Sequence, residues 1–211
     1  MSTARADRFR RLIADRVTES WKTIPHFTVT REIDATPLLR SYRELRQLAP
    51  TLTLTDLMVH ALSRSIPAAN AAPFDIGLAV ASDFGVMMPS IERASALTLG
   101  QVVMARAAAV ERGRTGRLSA ADIAAQPRAS LSNLGALGID QFSGIVPVGQ
   151  TSILTVGRAR ERAAVDGDRI VVRPSFFATL NVDHRTFDGA EAARMLVAFD
   201  SACAAGFSLE K

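Results

Sequence analysis

A histidine and an aspartate four positions apart form the clearest candidate for chemistry in the sequence. His184 and Asp188 stand within LNVDHRTFDGA, residues 180–190. A neutral imidazole with one nitrogen held by a backbone carbonyl leaves the other nitrogen free as a general base, which contributes about 100- to 10,000-fold in rate. We expect Asp188 to hold an arginine and brace the loop. Taken alone, a histidine in this place is more often a hydrogen-bonded structural group, so its role depends on what cooperates with it.

The elements on either side of His184 should hold its ring at a fixed angle. Residues 174–182 are rich in Phe, Ala and Thr and carry no charge, which predicts a strand that enters the core. Residues 188–205 place apolar side chains at helical spacing, and Asp188 would lie in the first turn, where a negative charge favours the helix dipole. The histidine is therefore predicted at a junction between a strand and a helix.

The rest of the chain mixes helical and extended patterns. Apolar spacing and cap residues predict helices over residues 7–21, from Pro37, from Thr55, over residues 98–114 and after Ser119. Alternating or apolar runs predict strands over residues 26–33, 75–81, 86–91, 129–134, 153–156, 162–165 and 169–173. This uneven mixture predicts an α+β sandwich with a mostly central sheet. His60, inside a predicted helix, is expected to be a surface or structural residue rather than a ligand.

Composition excludes several classes of protein. With 211 residues, 48% of them hydrophobic, the chain suits one core and a single domain. The net charge of +4 comes almost entirely from dispersed arginines, which argues against a nucleic-acid surface. Cys203 is the only cysteine, so neither an internal disulfide nor a cysteine metal site is available. No apolar run approaches the ~20 residues that span a bilayer, and we expect a cytoplasmic protein without membrane contact.

The sequence lacks several common catalytic motifs. The sequence contains no Gly-x-Ser-x-Gly elbow, Walker loop, dinucleotide-binding fingerprint or His-Glu-x-x-His pair. A covalent serine, nucleotide or zinc mechanism therefore has little support. If His184 is a base, the substrate is expected to supply the nucleophile.

Four segments in order resemble one known family. VDHRTFDGAEAAR, residues 182–194, resembles the active-site signature of the dihydrolipoamide acyltransferase catalytic domain, which shares its fold with chloramphenicol acetyltransferase. IPHF at residues 24–27, DIGLAVA at 75–81 and LSNLG at 131–135 resemble further segments of that family. The resemblance covers nearly the whole chain. It implies one catalytic domain over residues 1–211, with a chloramphenicol acetyltransferase-like sandwich in which helices flank a mixed central sheet.

The resemblance also implies roles for individual residues. His184 would deprotonate the acceptor, which attacks the thioester of acetyl-coenzyme A, and Ser132 would donate a hydrogen bond to the oxyanion. Taken alone, Ser132 is an unremarkable serine at the end of a strand. Asp188 would be structural, through a salt bridge to an N-terminal arginine for which we choose Arg16. The family further implies a homotrimer with active sites between subunits, acetyl-coenzyme A as co-substrate, and no metal or tightly bound cofactor.

Departures from the family pattern bear on the acceptor. The family's acyltransferases carry lipoyl and peripheral-subunit-binding domains before the catalytic domain, whereas this chain begins with the catalytic-domain helix. Pro147-Val148-Gly149 also replaces a typical Asn-Pro-Pro segment. These departures favour an O-acetyltransferase that modifies a small-molecule hydroxyl, for example on a tetronate polyketide intermediate. The alternatives are the acyltransferase core of a 2-oxo acid dehydrogenase complex and an inactive trimeric scaffold.

Overall fold

A computed structural model describes residues 3–67, 72–83 and 85–210. The helices are α1 (Thr3–Thr23), α2 (Thr36–Leu48), α3 (Leu54–Ser65), α4 (Leu99–Thr115), α5 (Ala120–Ala124) and α6 (Gly189–Ala204). The strands are β1 (His26–Asp34), β2 (Ile76–Leu78), β3 (Val80–Ser82), β4 (Gly85–Met87), β5 (Ser90–Ile91), β6 (Ala129–Asn133), β7 (Ser152–Val156), β8 (Arg160–Asp166) and β9 (Arg169–Asp183). Among the described residues, no helix is long and apolar enough to cross a membrane.

The central sheet is mixed, as predicted. Its strand order is β1-β9-β7-β6-β2-β5, and β8 pairs with the first half of β9. The pairs β2–β6 and β6–β7 are parallel, and the remaining pairs in this sheet are antiparallel. The predicted strands over residues 75–81 and 86–91 are each divided in two, because β2 and β5 join the central sheet while β3 and β4 form a separate two-stranded sheet.

One face of the central sheet is apolar and packs against helices. Every second residue of β9 points to this face, including Phe176 and Leu180, and both are buried. They belong to one hydrophobic cluster with side chains from β6, β7, α3 and α6, namely Leu131, Leu154, Leu62, Leu196 and Phe199. The alternation in β9 thus gives it a buried apolar side that faces the helices and a second, more polar side.

The second side of the sheet carries a row of hydroxyl groups. Ser132 lies opposite Thr155, Thr155 opposite Thr179, and Thr179 opposite Thr30. We call these four residues the hydroxyl row. Residues 139–150 cover part of it: the Thr155 hydroxyl donates to the carbonyl of Phe142 at 2.5 Å, and the amide of Gln141 donates to Thr30 Oγ1 at 3.2 Å. The first of these bonds satisfies the hydroxyl of Thr155, which is buried and would otherwise be costly to bury.

The start of α3 differs from the prediction. Thr53, rather than Thr55, is the cap residue, and it forms a capping box with Asp56. The Asp56 carboxylate accepts the backbone N–H of Thr53 at 2.7 Å and also binds Arg106 on α4, with Nε 2.8 Å from Oδ1. The helix therefore begins where a carboxylate can serve both the cap and a partner fifty residues away.

Candidate active site

The backbone and an aromatic ring hold His184 in place. Its N–H donates to the carbonyl of Pro25 at 2.9 Å, which fixes the end of β9 beside the start of β1. The imidazole meets the ring of Phe27 edge to face, with centroids 5.1 Å apart and planes at 72°. Gly189 lies against the same ring, where a Cβ would come within 3.1 Å of Phe27 Cζ. The His184 side chain itself is exposed, so an oriented imidazole is available to a substrate.

The expected carbonyl bond to the imidazole is not formed among the described residues. The ring of His184 instead depends on Phe27, and the turn around it depends on an ion pair that sequence reasoning missed. Arg185 Nε lies 2.9 Å from Asp183 Oδ1 and Nη2 lies 2.5 Å from Oδ2. The hydrogen bonds from Arg185 hold the pKa of the Asp183 carboxyl below its usual range. Opposite charges on either side of a candidate histidine were the signal that could have revealed this pair.

Asp188 caps the last helix instead of binding Arg16. Its carboxylate accepts the N–H of Glu191 at 2.8 Å, and Glu191 accepts the N–H of Asp188 at 2.9 Å. Arg16 lies 3.2 Å from Glu19 one turn along α1, and 76% of its side chain is exposed. The predicted Arg16–Asp188 pair is therefore wrong within one chain, because both residues have closer partners in their own helices.

His26 connects the start of β1 to the segment that covers the hydroxyl row. Its Nδ1 lies 2.8 Å from the carbonyl of Ile24, and its Nε2 accepts the N–H of Val146 at 3.0 Å. The hydroxyl of Ser20 donates to the carbonyl of the same Val146 at 2.5 Å. The end of α1 and the start of β1 thus hold the covering segment against the sheet.

Ser132 lies at the opposite end of the sheet from His184. It is half-buried on β6, and the register Ser132–Thr155–Thr179 places it level with a residue five positions before His184. Five residues of a strand span about 17 Å, and two strand spacings add about 10 Å in the perpendicular direction. One chain therefore does not bring the predicted base and the predicted oxyanion donor together, and a site that uses both needs a second chain.

The turn after Ser132 is tightly built. Asn133 Oδ1 accepts the N–H of Gly135 at 2.9 Å, and its amide donates to Thr55 Oγ1 at 3.3 Å. A Cβ on Gly135 would come within 2.9 Å of the carbonyl oxygen of Gly157. Glycine at position 135 therefore allows the close approach of the backbone at Gly157.

Comparison with known proteins identifies the family. Residues 2–204 match the model described as 2-oxoacid dehydrogenases acyltransferase (catalytic domain). The chain belongs to this family. A curated relative, the dihydrolipoyllysine-residue acetyltransferase component of the pyruvate dehydrogenase complex of Zymomonas mobilis, is 30% identical over 90% of this chain and 47% of its own length. The chain thus spans about half the length of the curated relatives it matches.

Solved structures agree with the family and the fold. A dihydrolipoamide acetyltransferase of Azotobacter vinelandii has a TM-score of 0.84 and 25% identity, with 93% of this chain and 88% of that chain covered. A chloramphenicol acetyltransferase has a TM-score of 0.51 and 10% identity, with 90% and 94% covered, which shows the fold alone. The predicted chloramphenicol acetyltransferase-like α+β fold is confirmed.

The Azotobacter vinelandii structure also bears on the candidate residues. Its catalytic mechanism was investigated through one serine, one histidine and one asparagine. That serine precedes that histidine by as many residues as Ser132 precedes His184, and the asparagine follows four positions later, where this chain has Asp188. The two predicted catalytic residues therefore recur at matching spacing, while the third position differs in charge.

Proposed function

We propose that this chain transfers an acyl group between coenzyme A and a dihydrolipoyl thiol, with His184 as base and Ser132 as oxyanion donor. The observation that carries the proposal is the spacing of Ser132 and His184, which a solved dihydrolipoamide acetyltransferase shares. It supports the proposal because the chain also belongs to the acyltransferase family over nearly its whole length.

The reaction requires one proton carrier and one hydrogen-bond donor. His184 accepts the proton of the coenzyme A thiol, and the thiolate attacks the carbonyl carbon of an acetyl-dihydrolipoyl thioester. Ser132 Oγ donates to the oxyanion of the tetrahedral intermediate. The intermediate then breaks its bond to the dihydrolipoyl sulfur, and that sulfur takes the proton back from His184. The same steps run in reverse from acetyl-coenzyme A.

The acceptor in this proposal differs from our first expectation, a hydroxyl on a tetronate polyketide. That expectation has no support in the comparisons, since the matching curated relatives are named for the dihydrolipoyllysine residue. A thiol also suits an imidazole base, because an ordinary thiol pKa of about 8.5 is near the histidine value of about 6.5, whereas an alcohol is far less acidic. We therefore propose a thiol, rather than a hydroxyl, as the acceptor.

The proposed site lies between two copies of the chain. Ser132 of one copy would meet His184 of the next, because the two residues lie at opposite ends of the sheet within one chain. Such a head-to-tail contact forms a ring when the rotation between copies closes, and we propose the closed trimer that the family resemblance implies. Exposed apolar side chains are available for the contact on α1 and on the β8–β9 hairpin, including Trp21 and Ile170, exposed by 67% and 82%.

Complementation tests both the residues and the shared site. His184→Ala and Ser132→Ala chains, co-expressed with different tags and purified through both, are assayed with acetyl-coenzyme A and either dihydrolipoamide or a hydroxylated tetronate. Each variant alone should be nearly inactive toward dihydrolipoamide. A mixed trimer purified through both tags should recover about one third of the wild-type sites, since one of its three junctions pairs an intact Ser132 with an intact His184.

Three results would contradict the proposal. No recovery in the mixed oligomer would show that no site takes Ser132 from one chain and His184 from another. Transfer to the tetronate alone would restore the hydroxyl acceptor. Wild-type and His184→Ala proteins that are equally active or equally inactive would favour a scaffold without a catalytic histidine.

A further inference from the structure

Three arginines surround one carboxylate at the base of the β8–β9 hairpin. Arg158 Nε lies 2.7 Å from Asp140 Oδ1, Arg160 Nη2 lies 3.2 Å from Oδ2, and Arg162 Nη2 lies 3.4 Å from Oδ1. We call the three residues the arginine cluster. One carboxylate neutralises one guanidinium, so positive charge remains in excess at this place.

Other polar and charged groups lie near the cluster without forming an ion pair with it among the described residues. Arg162 is only 13% exposed, lies over the ring of Phe177 at 5.0 Å and donates to the carbonyl of Ser175. Glu32 reaches the cluster only through the hydroxyl of Ser175, which donates to its carboxylate. Asp34 lies opposite Ser175 on β1, but its carboxylate accepts the N–H of Thr36 at 2.7 Å. Among the described residues neither Glu32 nor Asp34 forms an ion pair with the cluster, and Asp140 is the carboxylate that pairs directly with the three guanidiniums. The groups in direct contact therefore carry a net positive charge that an anion would balance.

The backbone around the cluster is fixed before any ligand binds. The N–H of Arg158 donates to the carbonyl of Ile139 at 2.8 Å, which joins the end of β7 to the Asp140 segment. Gly157 packs so closely there that a Cβ would overlap the carbonyl oxygen of Asp140. Asp140 in turn positions the three guanidiniums. Donors held in this way lose little entropy when they bind an anion.

The arginine cluster and Ser132 share one face of the sheet. Arg160 lies opposite Ser175, which is four residues before Thr179 of the hydroxyl row on the same strand. Directly opposite residues and residues an even number apart point to the same face. Four strand residues span about 14 Å. The cluster therefore lies on the Ser132 face, about that far along the strand direction from the hydroxyl row.

Ion pairing alone does not account for the cluster. Exposed ion pairs stabilise a protein by about 0 to 1 kcal/mol, so a second and third arginine around Asp140 add little to the fold. The side chains of Arg158 and Arg160 are 42% and 48% exposed, and each uses only part of its five N–H donors on Asp140. Guanidinium groups with free donors match the oxygen geometry of phosphate.

We propose that the arginine cluster binds the phosphate groups of coenzyme A, so that the pantetheine arm extends along the hydroxyl-row face toward Ser132. The choice of coenzyme A as the phosphate carrier rests on the proposed function. The site requires only the chemistry of a phosphate, which coenzyme A offers both in its diphosphate bridge and in its 3′-phosphate.

Calorimetric titration of the full chain with three ligands tests the assignment. Coenzyme A carries both phosphate groups, dephospho-coenzyme A keeps only the diphosphate, and pantetheine has neither. Arg158→Gln and Arg160→Gln should each weaken coenzyme A binding about 10-fold or more, as expected for the loss of a charge-assisted hydrogen bond, and leave pantetheine binding unchanged. Arg40→Gln is the matched control, because Arg40 is exposed on α2 at the helical face of the sheet.

The pattern of losses identifies the phosphate. A loss for coenzyme A but not for dephospho-coenzyme A assigns the 3′-phosphate, and an equal loss for both assigns the diphosphate. Unchanged coenzyme A affinity in both variants, an equal loss for pantetheine, an equal loss in Arg40→Gln, or no binding of coenzyme A by the wild type would overturn the inference. Phosphate-dependent binding without acyl transfer would contradict only the proposed reaction, since the titration measures binding alone.

Discussion

The two ends of the central sheet are built by different means. At the His184 end, one exposed imidazole is held against the Phe27 ring. The backbone around it is fixed by the carbonyl of Pro25, the Asp183–Arg185 ion pair and the cap of α6. At the Ser132 end, a hydroxyl stands in a polar row, and a cluster of arginines lies farther along the same face of the sheet. In the function that we propose, the first end orients a base, and the second receives an oxyanion and a phosphate. Under that proposal each chain carries two half sites at a distance from one another.

His184→Ala should have the largest effect. Removal of a general base is expected to lower kcat by about 100- to 10,000-fold. Because the side chain is exposed, the free energy of unfolding should change by no more than about 0.5 kcal/mol. Steady-state kinetics and urea unfolding measure the two quantities, with His60→Gln as a histidine control that keeps its activity. A loss of kcat below tenfold would remove His184 from the role of base.

Ser132→Ala should have the second-largest effect, and it tests the Ser132 end of the sheet. Loss of one oxyanion donor costs about 100- to 1,000-fold in kcat, while KM should change little because the bond forms in the transition state. Ser201→Ala, which removes an exposed hydroxyl on α6, is the control. If Ser132→Ala raises KM and spares kcat, the serine binds substrate in the ground state instead.

Phe27→Ala should have a smaller effect at the His184 end. Without the ring, the imidazole loses the contact at 5.1 Å that limits its rotation, and misplacement of a catalytic group costs up to about 100-fold in kcat. Phe27→Tyr keeps the ring and should restore most of the rate. The comparison of kcat in the two variants separates orientation from folding, and equal rates in Phe27→Ala and wild type would show that the ring does not position His184.

The stability of the fold is expected to depend on pH through His60, which lies away from both ends of the sheet. Burial, with a further contribution from the charge of Arg64, lowers the pKa of His60 to about 4. The unfolded chain therefore binds more protons than the folded chain between pH 4 and about 6.5, and the folded state should lose about 2 to 3 kcal/mol as pH falls through that range. Urea unfolding at several pH values measures the loss. His60→Gln should flatten the dependence, and an unchanged slope would assign it to other groups.

Most secondary structure could be predicted because it depends on local periodicity. The elements around His184 and the β8–β9 hairpin agree with the patterns to within a few residues. The Thr53 cap was missed although Thr53 and Asp56 have the local spacing of a capping box. The ion pair of Asp56 with Arg106, a partner distant in sequence, could not be predicted from that pattern. The order of strands in the sheet could not be predicted either, since short local patterns do not encode which distant strands pair.

Only part of the candidate site could be predicted from the sequence. His184 stood out by its position, but the proposed role of Ser132 came from family resemblance, since a serine at the end of a strand has no pattern of its own. The distance between the two depends on the register of β6, β7 and β9, which follows from long-range packing. Arg16 was misassigned because an arginine on an amphipathic helix finds Glu19 one turn away more readily than a distant carboxylate.

The length of β9 limits where residues can be inserted in this chain. The strand runs for 15 residues, from the hairpin turn to Asp183, and pairs with β8, β7 and β1 along the way. One inserted residue within it would reverse every later side chain, so that Leu180 would face the polar side and Thr179 the helices. Insertions that keep the fold are therefore expected at the hairpin tip, where a Cβ added at Gly167 would have no neighbour within 4 Å, and not within the strand.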